Sequence, residues 1–239
     1  MFISKTFIRQ VLKLVFRAML LLSAVYLFYF DRGKIFELGL GGALLWVIWL
    51  TLVIDMLYRL IPNKRIALGA RKHFARSFSA ASSEGVDPEA ARKSVKKLNK
   101  GAFLCALGWF VISSAILFLL YLLDTLTPKT VLVVILVYMV GDLVFILFYC
   151  PFRTLFMKNR CCTQCRIYNW DYFMICAPLI VFPSFYSVSL FLLSAIVVLQ
   201  WELALRKNPH YFLKETNGNL SCKSCSDKLC RHRQRASSG

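Results

Sequence analysis

The chain has 239 residues, 58% of them apolar, and a mean hydropathy of +0.60. Soluble domains are roughly 45–50% apolar, so the excess excludes an ordinary water-soluble globular protein. A net charge of +18 would indicate nucleic acid in a soluble chain, but in a membrane protein it indicates basic loops beside lipid. We therefore expect a bilayer with anionic headgroups as the partner and no specific nucleic acid. No protein partner follows from the sequence.

The N-terminal segment combines a basic face with apolar residues. Lys5, Arg9, Lys13 and Arg17 recur every four residues, which places them on one side of a helix. Residues 1–17 are therefore predicted to be an interfacial basic amphipathic helix, with Lys13 and Arg17 extending to the headgroups. The uncharged stretch 18–30 begins a first transmembrane hairpin, residues 18–61.

The second span, 36–61, carries charges toward its ends. Asp55 is expected to pair with Arg59, four residues further on. A basic cytoplasmic loop, 62–100, follows. In this loop Asp87-Pro88-Glu89 is a helix-start signal, and the helix is predicted to continue into the third span. The basic residues of that helix are expected near anionic headgroups; they are Arg92, Lys93, Lys96, Lys97 and Lys100.

The second hairpin, residues 101–150, contains one charge deep in the membrane. Asp142 is the only charged residue of the span 130–150, where an ionised carboxylate costs at least ~2.5–3.5 kcal/mol. Such residues often mark a pathway for protons, ions or substrate. The alternative is a protonated carboxyl group bonded to Ser113, Ser114 or Tyr138, and the sequence leaves both interpretations open.

The last apolar region is too long for one span. Residues 168–201 would form a helix of roughly 50 Å, against a bilayer core of roughly 30 Å. Pro178 and Pro183 interrupt it, so a third hairpin, 168–202, is predicted, with spans of about 168–182 and 185–202, the first short or re-entrant. Asp171, at its start, is expected to be interfacial. The fold class is thus an all-α integral membrane protein of about six transmembrane helices in three hairpins.

Charge distribution supports an even number of spans. With six, 27 Lys and Arg residues lie on one side and 3 on the other; with five, the division is 19 against 11. Basic residues accumulate on the cytoplasmic side. Both termini are therefore predicted to be cytoplasmic.

Two cysteine pairs have the spacing of metal ligands. The cytoplasmic loop 151–167 contains Cys162 and Cys165, and the cysteine-rich basic tail 203–239 contains Cys222 and Cys225. Two C-x2-C turns supply the four thiolates of a tetrahedral site, which predicts a metal that ties the tail to the loop before the last hairpin. Zinc is the favoured metal. Cys161 and Cys230 are possible additional or replacement ligands.

Other uses of the thiolates remain open. Four thiolates also hold a [4Fe-4S] cluster, and C-x2-C pairs can be redox-active dithiols or, in the opposite orientation, disulfides. The leading hypothesis is a membrane-embedded binding, transport or accessory protein with a structural metal, in which Asp142 is the main intramembrane polar residue and Asp55 a second. The alternative is a redox protein that passes electrons to a membrane acceptor. No catalytic motif indicates a reaction.

Overall fold

The computed structural model describes residues 5–30, 40–61, 73–74, 78–80, 88–158 and 165–220, and this part of the chain is helical. Its α-helices, in chain order, are α1 (Lys5–Phe30), α2 (Leu40–Leu60), α3 (Pro88–Leu122), α4 (Pro128–Leu147), α5 (Asp171–Cys176) and α6 (Phe185–Lys207). A π-helical turn, Phe152–Phe156, follows α4. The only β-bridge among these residues joins Ala80 to Asn217.

Within the described ranges, five helices are long and apolar enough to cross a membrane: α1, α2, α3, α4 and α6. Many large apolar side chains of α1, α2, α3 and α6 point outward; Phe103 of α3, for example, is 65% exposed. A soluble protein rarely exposes so much contiguous apolar surface, whereas lipid solvates it. The chain is therefore an all-α, multi-pass integral membrane protein.

Side-chain contacts fix the directions of the helices. Lys13 of α1 reaches Asp55 near the end of α2, so these two helices are antiparallel. Trp49 of α2 donates to Ser189 of α6, and Gln200 of α6 donates to the carbonyl of Leu60. Because the second contact lies nearer the C-terminal end of both helices than the first, α2 and α6 are parallel.

The helices α3 and α4 are antiparallel. Tyr138 of α4 bonds to Ser113 of α3, while Gly101, near the membrane entry of α3, lies against Phe156 beyond the end of α4. The turn between them has Asp124 at φ 53°, a left-handed conformation that Asp tolerates. Pro128 at the first position of α4 then starts the next helix, as its fixed φ favours.

The segment before α6 is broken into short helical pieces. A 3₁₀ turn, Tyr168–Trp170, leads into α5, and a second 3₁₀ turn, Ala177–Val181, follows. The first turn contacts Arg59 at the end of α2, whereas Leu179 and Phe182 line a cavity beside Leu45 at the start of α2. The segment thus follows the bundle from one end to the other.

A polar turn separates this segment from α6. Ser184 caps α6, and its hydroxyl and that of Ser187 form a reciprocal capping box. The predicted division near Pro183-Ser184 is confirmed. Reciprocal capping satisfies backbone donors that lipid could not.

The chain after α6 folds back against the end of the bundle. Phe212 packs on Trp201 of α6 with ring centroids 4.9 Å apart, and His73 of the preceding loop stacks on Phe212 at 4.7 Å. The backbone of Gly218 donates to Ser79. Loop residues 73–74 and 78–80 and tail residues 209–220 therefore pack together at the ends of α2 and α6.

Candidate functional site

Ionisable side chains meet inside the bundle where α1, α2, α4 and α5 come together. The cations are Lys13, Arg17 and Arg59, and the acids are Asp55, Asp142 and Asp171. We call this set the charge cluster. It lies one to two turns inside the ends of α2 and α4, so most of its members are shielded from water.

Arg17 is the central cation. Its side chain is only 3% exposed. The guanidinium donates to the carbonyl of Met139 at 2.9 Å, to Asp55 at 2.8 Å and to the Tyr172 hydroxyl at 3.0 Å. The prediction that Arg17 extends to the headgroups is therefore wrong, because a carboxylate and a carbonyl inside the bundle satisfy it.

Asp55 pairs with α1 and not with its own helix. Lys13 lies 2.6 Å from one carboxylate oxygen and Arg17 lies 2.8 Å from the other. The expected pair with Arg59 does not form. Spacing within one helix predicted that contact, but cations on a neighbouring helix take its place.

Arg59 instead binds the start of α5. Its guanidinium makes a two-bond pair with Asp171, at 2.7 and 2.5 Å. It also donates to Asn169 and lies over the ring of Tyr172, 4.4 Å from the centroid. Bidentate pairs of this kind fix orientation as well as charge. Asp171, expected to be interfacial, therefore anchors the broken segment to α2.

Of the three acids in the charge cluster, Asp142 makes the fewest and longest contacts. Its nearest cation is Arg17, at 3.8 Å, beyond hydrogen-bond distance. Within the described chain its carboxyl group makes no hydrogen bond. The hydroxyl groups predicted as partners, those of Tyr138 and Ser113, bond to each other at 3.3 Å. Its side chain is 18% exposed.

That exposed part faces a cavity of about 70 Å³. This volume is about that of two waters at roughly 30 Å³ each. Gln10, 8% exposed, also faces it, and its amide makes no hydrogen bond within the described chain. The other polar side chains around it are Lys13, Arg17, Asp55, Tyr58, Arg59, Tyr168 and Tyr172.

Buried apolar residues lie one turn deeper in the bundle than two acids of the charge cluster. Leu52 lies one turn before Asp55, and Met139 lies one turn before Asp142; with Leu136 they are fully buried. Lys13, with 43% of its side chain exposed, lies at the outer end. The cavity thus lies between the half-exposed Lys13 and fully buried apolar residues.

A second polar network fixes the cysteine-containing loop. Arg166 makes a two-bond pair with Glu202 of α6, both distances being 2.6 Å. Trp170 donates to the same carboxylate, and Trp201 donates to the carbonyl of Arg166 at 2.7 Å. These contacts hold the residue after Cys165 against the end of α6.

Of the six predicted thiolate residues, the described chain includes Cys165 alone. It is 6% exposed and packs with Ala102, Cys105, Met157 and Ile167. The other five, Cys161, Cys162, Cys222, Cys225 and Cys230, lie outside the described residues. Among those described, no group of three His, Cys, Asp or Glu side chains is placed to hold a metal.

No family model, curated protein or solved structure matches the chain.

Sequence reasoning identified Asp142 and Asp55 but missed most of the cavity. Gln10, Tyr168 and Tyr172 carried no signal, because amide and phenol groups are common near membrane interfaces. Arg17 and Arg59 did carry one, since a cation within an apolar stretch requires a partner. The identity of that partner depends on helix packing, which spacing does not show.

Proposed function

We propose that the protein binds or transports a small polar solute. The solute enters the cavity from the basic end of the bundle, which is the end where α2, α4 and α6 finish and the basic first turns of α3 lie. The observation that carries this proposal is Asp142, whose carboxyl group faces the cavity without a hydrogen bond while Asp55 and Asp171 are fully paired. A bundle that needed its charges only for stability would pair all of them. An unpaired carboxyl group beside a cavity is suited to contact a solute.

In the proposed topology the chain crosses the membrane six times, and both termini are cytoplasmic. The directions of the helices support it, since α2, α4 and α6 end where α1 and α3 begin. The broken segment supplies the remaining crossing. Its short pieces, Tyr168–Trp170, α5 and Ala177–Val181, are shorter than an ordinary span but extend from one end of α2 to the other.

The exposed basic face of α3 is proposed to contact anionic lipid headgroups. Lys93 pairs with Glu89 at 2.8 Å, but both side chains are more than 70% exposed, so this pair adds little stability. The face is therefore available to lipid, where each Lys or Arg contributes about 1 kcal/mol of attraction.

Filling the cavity tests the solute proposal. Gln10→Trp places a large ring in the cavity, whereas Leu12→Trp, on the same helix and 64% exposed, places it in lipid. In proteoliposomes screened with small ions and polar solutes, we expect saturable binding by the wild type and by Leu12→Trp. Binding should fall at least about tenfold in Gln10→Trp, because the ring occupies the solute volume. Equal binding by all three proteins would contradict the proposal.

The thiolates of Cys162, Cys165, Cys222 and Cys225 are proposed to hold a structural zinc ion. Two observations support it: Arg166 is fixed against α6, and the tail returns to the same end of the bundle through Phe212. Leu220, two residues before Cys222, is fully buried. The described residues next to the two cysteine pairs therefore lie at the same end of the bundle.

Metal analysis with an absorption spectrum tests this site and its redox alternative. Stoichiometric zinc is expected in the wild type and in Cys150→Ser, a cysteine outside the set. It should be lost in Cys222→Ser/Cys225→Ser, since two thiolates do not complete a tetrahedral site. Iron with sulfide and a visible band would instead indicate a cluster and electron transfer. Protein that contains neither metal would contradict both.

A further inference from the structure

We propose that the solute is a small monovalent anion and that it enters the cavity together with one proton, which Asp142 binds. This inference rests on the proposed solute-binding function and specifies its ligand. Three features of the cavity support this inference: the charges around it, the hydrogen-bond donors that face it, and the weak contacts of the Asp142 carboxyl group.

The charge cluster is neutral when all its groups are ionised. Three cations, Lys13, Arg17 and Arg59, face three carboxylates. The other titratable groups around the cavity are three tyrosine hydroxyl groups, those of Tyr58, Tyr168 and Tyr172. An additional anion would leave one negative charge in a region of low dielectric, which is costly. Uptake of a proton by one carboxylate keeps the cluster neutral.

Asp142 is the carboxylate that can accept this proton at least cost. Asp55 would lose two charged contacts on protonation, and Asp171 would lose a bidentate pair and a bond from the backbone of Tyr172. Asp142 would lose only a 3.8 Å contact with Arg17. Protonation therefore releases Arg17 to interact with the entering anion.

The cavity offers donors for an anion. The guanidinium of Arg17 uses three of its five N–H groups in hydrogen bonds, and the remaining two make none within the described chain. The Gln10 amide adds two N–H donors to a wall of the cavity, and Lys13 lies at its outer end. An anion between these groups would exchange water for charge-assisted hydrogen bonds.

A cation is disfavoured at the same position. Any ion that contacts Asp142 lies close to the buried guanidinium of Arg17, which is permanently charged. A cation there would be repelled and would give the cluster a net positive charge. The net charge of +18 also favours approach of anions to the basic end. A cavity of about 70 Å³ has room for an ion of a few atoms.

The first experiment uses the wild type alone. Chloride, formate or acetate is mixed with the protein in lipid nanodiscs in weakly buffered solution, and anion binding and pH are followed together. At pH values where Asp142 is ionised in the free protein, we expect one proton to be taken up for each anion bound and the affinity to fall about tenfold per pH unit; at these pH values the two effects must appear together. Binding of an anion without proton uptake would overturn the inference.

The second experiment compares Asp142→Asn with Asp124→Asn, a matched change in the exposed turn before α4. Asp142→Asn is already neutral, so it should bind the anion with less than about twofold change over the same pH range. Asp124→Asn should keep the steep dependence of the wild type. If Asp142→Asn does not fold, Asp142→Glu replaces it and should keep proton uptake. A steep dependence in a folded Asp142→Asn protein would overturn the assignment to Asp142.

The outcomes separate the inference from the function on which it rests. Binding of Na⁺, K⁺ or a neutral solute, with none of the three anions bound, would overturn the anion inference and leave the solute-binding proposal in place. Absence of saturable binding for every solute would overturn both.

Discussion

Arg17 illustrates how a residue in an apolar stretch is retained by partners from other helices. Its guanidinium is bonded to α2, to the backbone of α4 and to α5. Buried charge pairs often contribute little net stability, because desolvation offsets their attraction. Removal of one partner is nevertheless costly, since the other charge remains buried alone.

A double-mutant comparison tests this role of Arg17. Arg17→Leu should lower the free energy of unfolding by about 3–5 kcal/mol, because Asp55 and Asp142 lose their central cation. Arg17→Leu/Asp55→Leu should be less destabilised than Arg17→Leu, because a buried carboxylate is removed as well. Reversible unfolding of the two variants in mixed micelles measures both. A double variant that is less stable than Arg17→Leu would contradict the assignment of Asp55 as a main partner.

At the scale of elements, local sequence signals located the starts of helices well. The predicted start of α3 at Pro88 is confirmed, and Ser184, predicted as part of a turn, caps α6, because proline and small hydroxyl residues act on the adjacent backbone. The same signals did not reveal the 3₁₀ turns on either side of α5. Those turns depend on contacts such as that of Arg59 with Tyr168, which are made across the bundle.

The packing of α3 against the turn after α4 depends on a glycine. A Cβ atom at Gly101 would lie 3.0 Å from the carbonyl oxygen of Phe156, whereas one at Gly141 would have nothing within 4 Å. The close approach of α3 to the turn Phe152–Phe156 therefore requires glycine at position 101, whereas no such contact requires it at position 141.

Two alanine variants form a matched test. Gly141→Ala should stabilise the protein by about 0.5–1 kcal/mol, because alanine restricts the unfolded chain and favours a helix. In Gly101→Ala the same stabilisation should be offset by the close contact of the new Cβ atom with the carbonyl oxygen of Phe156. Thermal unfolding should therefore place Gly141→Ala above the wild type and above Gly101→Ala. A higher midpoint for Gly101→Ala would show that the turn Phe152–Phe156 is not held closely.

For the whole molecule, composition predicted the membrane class, whereas the cytoplasmic position of both ends, which follows from the charge distribution, stays a prediction. Hydropathy is a sum over many residues, so errors at single positions do not matter. The cavity could not be predicted in this way. It depends on which faces of α1, α2 and α4 meet, and Gln10 and Asp142 are 132 positions apart in sequence.

The six-span topology predicts that both chain ends lie on the same side. Protease-sensitive tags at the two termini should be digested together in inside-out vesicles, because the positive-inside rule places both in the cytoplasm. A control tag inserted after Thr125, between α3 and α4, should resist digestion there. Digestion of the two terminal tags from opposite sides would exclude an even number of spans.

Infrared difference spectroscopy tests most directly whether Asp142 faces an accessible cavity. Lowering the pH of the protein in nanodiscs from about 8 to about 6, a range in which exposed carboxyl groups stay ionised, should produce the carbonyl band of a protonated carboxyl group. This band should shift at once on transfer to D₂O. It should be absent in Asp142→Asn and retained in Asp124→Asn. This result would show that water from the basic side reaches Asp142, as the cavity beside it requires. An identical band in Asp142→Asn would contradict the assignment of Asp142 as the titrating group of the site.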